Sequence, residues 1–336
     1  MSKQADDGAL PKARLDLIPL LLVGVIALAA FARIGSGSTW VTLTVAGLAM
    51  GLLIFIMASG LTLVFGLMDV MNFAHGLFIA IGAYVAVSVM RAFAGAAGAD
   101  SFLANLGAIA PALVAAIVIA GLLGLFFERV IIRPVYGQHL KQILITTGGM
   151  IVAEQLIHVL WGPDLLPLPR PATLRGSFLI GDIALEKFRL IAVVIGLAIF
   201  AALIVLLNRT KIGLLIRAGV ENKEMVEAMG YRIRRLFVAV FVAGAALAGL
   251  GGALWGMYQE SVTVAIGAQM MVLIFIVIII GGLGSVGGCF VGALLVGLVA
   301  NYVGYLAPKI ALGSNILLMV IILLWRPQGL YPMSKQ

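Results

Sequence analysis

Charge is what this sequence has least of. Only 11% of its 336 residues are Asp, Glu, Lys or Arg, where a soluble domain carries about 25%. With 63% hydrophobic residues beside that shortage, an ordinary water-facing surface is excluded. Cysteine is nearly missing too: Cys289 stands alone, so no disulfide can close within the chain. Three histidines and one cysteine offer no metal-ligand cluster. No G-x-x-x-x-G-K-[ST] occurs, which excludes a P-loop that would hold ATP on this chain. No nucleophile stands at a recognisable spacing from a base, so nothing points to an enzyme. Ten-residue alternating strands are lacking, and with them a β-barrel.

What is present is apolar length. Runs long enough to cross a hydrocarbon core of about 30 Å recur from end to end. About ten such segments fall at 17–33, 41–58, 74–90, 103–127, 143–161, 189–207, 235–257, 266–281, 288–306 and 310–325. The fold class is therefore an all-α polytopic membrane protein with roughly eight to ten transmembrane helices. Residues 17–326 form one transmembrane domain.

The net charge of +8 then reports loop placement in the membrane, not affinity for nucleic acid. The most basic loop, 208–235, carries Arg209, Lys211, Arg217, Lys223, Arg232, Arg234 and Arg235, which assigns it to the cytoplasm. Alternation places both tails, 1–16 and 327–336, on the same side. The proline-bearing 162–188 loop falls outside, as ordered irregular backbone or short extended pieces. The 41 glycines, with pairs such as Gly252 and Gly256 or Gly288 and Gly292, imply closely packed helices.

Three stretches carry chemistry. In GLMDVMNFAHG (66–76), Asp69, Asn72 and His75 are three residues apart, followed by Gly76. Residues 59–73 are too apolar for a free loop and too short to span, which predicts a broken or re-entrant helix there. If 69–75 is helical, the three polar residues share one face. Two roles stay open: a translocation path or gate, or a turn in which Asn72 caps a helix beginning near Phe73. Glu154 and Gln155 lie mid-segment in 143–161, with His158 one turn later and Thr146 and Thr147 earlier. A carboxylate at that depth is expected to face the bundle interior, as part of a path or as an interhelical hydrogen bond. Asn301 and Asn315 carry the same two readings.

The third stretch is AGVENKEMVEAMGYRIRR (218–235). Asn222 can cap a short helix, Glu224 and Glu227 follow near its start, and Gly230 suits a left-handed C′ position. Met225, Val226 and Met229 make a narrow apolar stripe. Such a helix is too short to stand alone in water. It docks either on the protein's own cytoplasmic face or into a partner's groove.

Taken together, SGLTLVFGLMDVMNFAHGLFIAIGAY (59–84), IRAGVENKEMVEAMGYRIRRLFVAVFVAGAALAGLGGAL (216–254), IIGGLGSVGGCFVGALLVG (279–297) and LLWRPQGL (323–330) resemble the LivH-like membrane permease subunits of ATP-binding-cassette importers for branched-chain amino acids. The resemblance implies a second related permease subunit, two cytoplasmic ATP-binding subunits and a periplasmic substrate-binding protein. It implies a bacterial inner membrane, no cofactor on this chain, and no enzymatic activity of its own. In the family the ATPases dock on a Glu-Ala…Gly motif, matched here by Glu227, Ala228 and Gly230. The N-terminal tail and the proline loop lie outside the shared core, and relatives also carry urea, short amides or aromatic acids. The rival function is an ion-coupled secondary transporter using Glu154 or Asp69 as a proton site.

Overall fold

A computed structural model describes residues 17–221 and 223–331. The expected tail 1–16, residues 332–336 of the expected tail 327–336 and the Asn222 cap lie outside the described residues. The chain folds as α1 (Ile18–Ile34), α2 (Gly37–Met68), α3 (His75–Ala92), α4 (Ala94–Gly98), α5 (Phe102–Phe127), α6 (His139–Trp161), α7 (Lys187–Arg209), α8 (Lys211–Glu221), α9 (Lys223–Ala228), α10 (Ile233–Gln259), α11 (Ile266–Gly281), α12 (Val286–Leu306) and α13 (Ala311–Trp325). Seven helices are long and apolar enough to cross a membrane, and three shorter apolar ones, α1, α11 and α13, accompany them. Each coincides with an expected segment.

Helix starts follow local chemistry. The hydroxyls of Ser36 and Ser285 accept hydrogen bonds from Thr39 N and Gly288 N, at 3.4 and 3.1 Å, and so cap α2 and α12. Pro111 sits inside α5, a position that lipid-embedded helices tolerate. Beyond α5, residues Glu128–Ile132 wind into a π turn before α6 begins.

The bundle is built around α2. Its apolar window is 83% buried, whereas that of α6 is only 11% buried, which places α2 at the centre and α6 on the rim. Packing against α2, α3, α10 and α12 uses glycine where backbones meet. A Cβ on Gly252 would overlap the Ile79 carbonyl, and one on Gly292 would lie 2.7 Å from the Val277 carbonyl oxygen. Close approach at small residues holds helices together in lipid, as the glycine pairs predict.

The 162–188 stretch contains short extended pieces, as expected. Strand β1 (Leu166–Pro167) pairs antiparallel with β4 (Ser261–Val262), and β2 (Ser177–Ile180) with β3 (Ile183–Glu186). Arg170 fastens this cover. Its guanidinium lies 3.1 Å from Glu186 Oε2 and 3.2 Å from Glu260 Oε1, and donates to the Tyr258 carbonyl at 2.8 Å.

The broken helix expected over 59–73 is corrected. Residues 59–68 continue α2 without interruption, because nothing in LTLVFGLM removes a backbone donor or forces a turn. The irregular backbone is confined to residues 69–74, between α2 and α3.

Candidate functional site at the start of α3

Helix α2 ends at Asp69, whose left-handed backbone (φ 51°) turns the chain back. Six residues later, His75 Nε2 lies 2.9 Å from the carbonyl oxygen of Met57. A carbonyl only accepts, so Nε2 is the protonated ring nitrogen in this contact. Met57 stands about three turns before the end of α2, some ~16 Å of helix. The 69–74 segment therefore climbs back along α2, and α3 begins inside the bundle.

Backbone donors at that depth need partners. Met71 N donates to Gln142 Oε1 and Phe73 N to Thr146 Oγ1, each at 3.2 Å. Both acceptors belong to α6, four residues apart on its bundle-facing side, and both are fully buried. The Gln142 amide nitrogen donates onward to the Val135 carbonyl at 3.1 Å. Within the turn, Asn72 Oδ1 accepts from Ala74 N at 3.1 Å. At this turn two buried nitrogens, Asn72 Nδ2 and His75 Nδ1, find no partner among the described residues.

A second helix begins beside the first. A Cβ on Gly76 would lie 2.7 Å from the Gly267 carbonyl oxygen, and one on Gly267 2.5 Å from that of Gly76. Each glycine is the second residue of its helix, so the first turns of α3 and α11 cross within the bundle. Phe73, just before α3, also packs on Phe275 of α11, with ring centroids 5.1 Å apart. Two helix N-termini, each the positive end of a dipole, meet beside irregular backbone. Transporters place polar contacts at such interrupted helices.

On the opposite arm of the chain, α8 and α9 form a small helical knob. Val226 is buried, while Met225 and Met229 are exposed. Gly230 adopts φ 87° and its N–H bonds the Glu227 carbonyl at 2.9 Å, closing α9 as expected. Glu224, Glu227 and Ala228 face outward around it.

The family described as the branched-chain amino acid transport system / permease component matches residues 43–325. The chain belongs to that family. It is 30% identical over 295 residues to the high-affinity branched-chain amino acid transport system permease protein BraD of Pseudomonas aeruginosa, covering 84% of this chain and 93% of BraD. LivH of Escherichia coli K12 is 28% identical over 291 residues, 84% of this chain and 92% of LivH. LivM of the same strain is 27% identical across 98% of this chain and 78% of LivM. No solved structure matches.

The permease brings some of the expected residues together and separates others. Asn72, His75 and Gly76 gather at the start of α3. Asp69 does not share a helical face with them, because 69–74 is not helical; its side chain is 75% exposed, 3.7 Å from His139 Nε2. The cap expected near Phe73 shifts: α3 starts at His75, and Asn72 braces the preceding turn. Glu154 and Gln155 depart further from expectation. Gln155 is exposed and Glu154 half-buried, because α6 turns Gln142, Thr146, Ala153 and Ile157 to the bundle. Thr146 therefore serves the 71–73 turn and not Glu154. Gln142 escaped the sequence reading, although a glutamine four residues from a threonine in an apolar helix was the signal available.

Proposed function

We propose that this permease is the membrane-spanning subunit of an ATP-binding-cassette importer for branched-chain or related amino acids. In this reading a periplasmic binding protein delivers the substrate, a second permease subunit completes the path, and two cytoplasmic ATP-binding subunits drive transport. The ten apolar helices lie in a bacterial inner membrane, with both termini and the α8–α9 knob in the cytoplasm and the β-strand cover outside. The names of BraD and LivH support the substrate class.

One observation carries the mechanism. A chain without a P-loop motif presents, in its most basic loop, the short helix α9 with Met225 on it and Met229 just past its end, both exposed. Met side chains adapt to a groove, and a helix this short gains little from its own surroundings. ATP-driven movement of the partner would displace α9 and α8, which lead directly into α10 and so into the core. Coupling then means that the ATPase contacts this knob differently in the two states of the bundle.

The test is uptake of leucine into proteoliposomes containing the whole transporter. Uptake is expected only with both the ATPases and the binding protein present. Gly230→Val, which forces a branched side chain into a left-handed position, is expected to separate ATP hydrolysis from uptake. Solute accumulation by the purified chain alone, driven by an ion gradient, would overturn the reading.

A further inference from the structure

The outer surface of α6 is divided lengthwise. On one flank stand Ile145, Val152, Leu156 and Val159, all exposed and all apolar. On the other, Thr147, Glu154, Gln155 and His158 gather within about 100° of arc, with the exposed Leu140, Leu144 and Ile151 among them. Gln155 points directly away from the buried Gln142–Thr146–Ala153–Ile157 stripe. It lies six residues inside Trp161, about 9 Å from the helix end, and therefore within the hydrocarbon layer. Among the described residues the Glu154 side chain has no hydrogen-bond or ion-pair partner; its backbone carbonyl also meets His158 Nδ1 at 3.0 Å.

The other rim helices do not do this. Midway along α5 and α7 the exposed positions are apolar, among them Val114, Val118, Leu122, Val194, Leu197 and Val205, a surface suited to lipid. Helix α11 packs on α3 as α6 does, and its Gln269 is exposed one turn into the helix, at the depth where α11 starts. Polar and ionisable groups facing hydrocarbon are costly, so this flank is built for something other than lipid.

We propose that the Thr147–Gln155 flank of α6 is the seam against which a second permease subunit of the same fold packs. The inference rests on the two-permease reading above and adds where the two meet. The occupant follows from the chemistry of the flank. A glutamine amide donates and accepts, a carboxylate accepts, and a threonine hydroxyl does both, so the set is self-complementary across a two-fold axis. Small side chains at Thr147 and Gly148 let the facing backbone come close; a Cβ on Gly148 meets nothing within 4 Å. A partner of matching shape is at hand, since a LivM permease aligns over 98% of this chain.

The test places a benzophenone amino acid singly at the positions of Gln155, Gly148, Val152 and Val159 in the complete transporter, in native membranes. Irradiation from positions 155 and 148 is expected to yield an adduct with a second permease chain, identified by mass spectrometry as a related, LivM-like permease; an adduct with another copy of this chain would overturn that choice of occupant. Positions 152 and 159 are expected to give lipid adducts only. Gln155→Leu, which keeps volume and removes the amide, is expected to lower recovery of the paired permease several-fold while leaving the amount of inserted chain unchanged. Protein adducts from 152 or 159 with only lipid at 155 would overturn the proposal. So would a permease pair that co-purifies intact yet cross-links from neither 155 nor 148. If no second permease chain co-purifies from the unmodified transporter, the two-permease reading itself fails, a result distinct from a seam located elsewhere.

Discussion

His75 at the first position of α3 holds the backbone of Met57 in the middle of α2, 2.9 Å from ring nitrogen to carbonyl oxygen. That single contact shows that α3 does not start where α2 stops. It also makes the depth at which α3 begins depend on a side chain that could be replaced. His75→Ala and Asn72→Ala are expected to reduce uptake several-fold without preventing membrane insertion. Uptake in vesicles, normalised to the amount of inserted chain, measures this. Unchanged rates in both variants would leave these residues with a structural role alone.

The irregular turn is held from α6. Gln142→Ala removes the side-chain acceptor of Met71 N, while the Val135 carbonyl loses the Gln142 amide but keeps Gln138 N. An orphaned buried group costs about 1–3 kcal/mol. The variant is therefore expected to unfold at lower temperature than the parent in the same detergent. Thr147→Ala, on the exposed side of the same helix, is expected to leave the transition in place. Equal melting temperatures for Gln142→Ala and the parent would show that the turn holds its position without α6.

How far the fold could be read from the residues follows from these two contacts. The spans were legible because each is an apolar run ended by basic residues, glycine or proline, and lipid demands helix wherever such a run crosses. The extent of α2 was not. In water the apolar LTLVFGLM would have to be explained by burial, but in a bundle the same residues suit a continuing helix and a folded-back one equally well. The orientation of α6 was also hidden. Both sides of a membrane helix are largely apolar, so its inward face is set by what lies beside it, and Gln142 and Glu154 look alike in sequence. Only the neighbouring turn, with its two backbone donors, selects the face that carries Gln142. The C-terminus of α9 was legible for a local reason: Gly230 adopts a conformation that other residues reach only at a cost.

Glycine packing gives a prediction with a built-in control. A side chain at Gly252 would collide with the Ile79 backbone, which cannot retreat without moving α3. Gly148 faces open space. Gly252→Val is expected to abolish the monodisperse peak in size-exclusion chromatography, whereas Gly148→Val in the isolated subunit is expected to preserve it. A well-behaved Gly252→Val protein would mean that α3 and α10 are not packed backbone to backbone.

The cover outside the bundle depends on one guanidinium. Arg170 reaches Glu186 and Glu260 together with the carbonyls of Met257 and Tyr258, and lies 5.2 Å over the Phe188 ring. These groups come from two places in the chain, the entry to α7 and the end of α10, and Arg170 ties both to the proline stretch. Lysine keeps the charge but offers a single nitrogen, so it cannot reach two carboxylates and two carbonyls from the same position. Arg170→Lys is therefore expected to behave much like Arg170→Ala. Hydrogen bonds to charged groups contribute about 1.5–3 kcal/mol each when kept from water, and less here because Glu260 is half exposed. Both variants are expected to make the 162–186 stretch cleavable by added protease several-fold faster, with the helices inside the membrane still protected. High salt should speed cleavage of the parent in the same direction, since part of the attachment is electrostatic. If Arg170→Lys is cleaved at the parental rate, the planar fork is not what fastens the cover, and the antiparallel pairing of Leu166 with Val262 becomes the attachment to remove next.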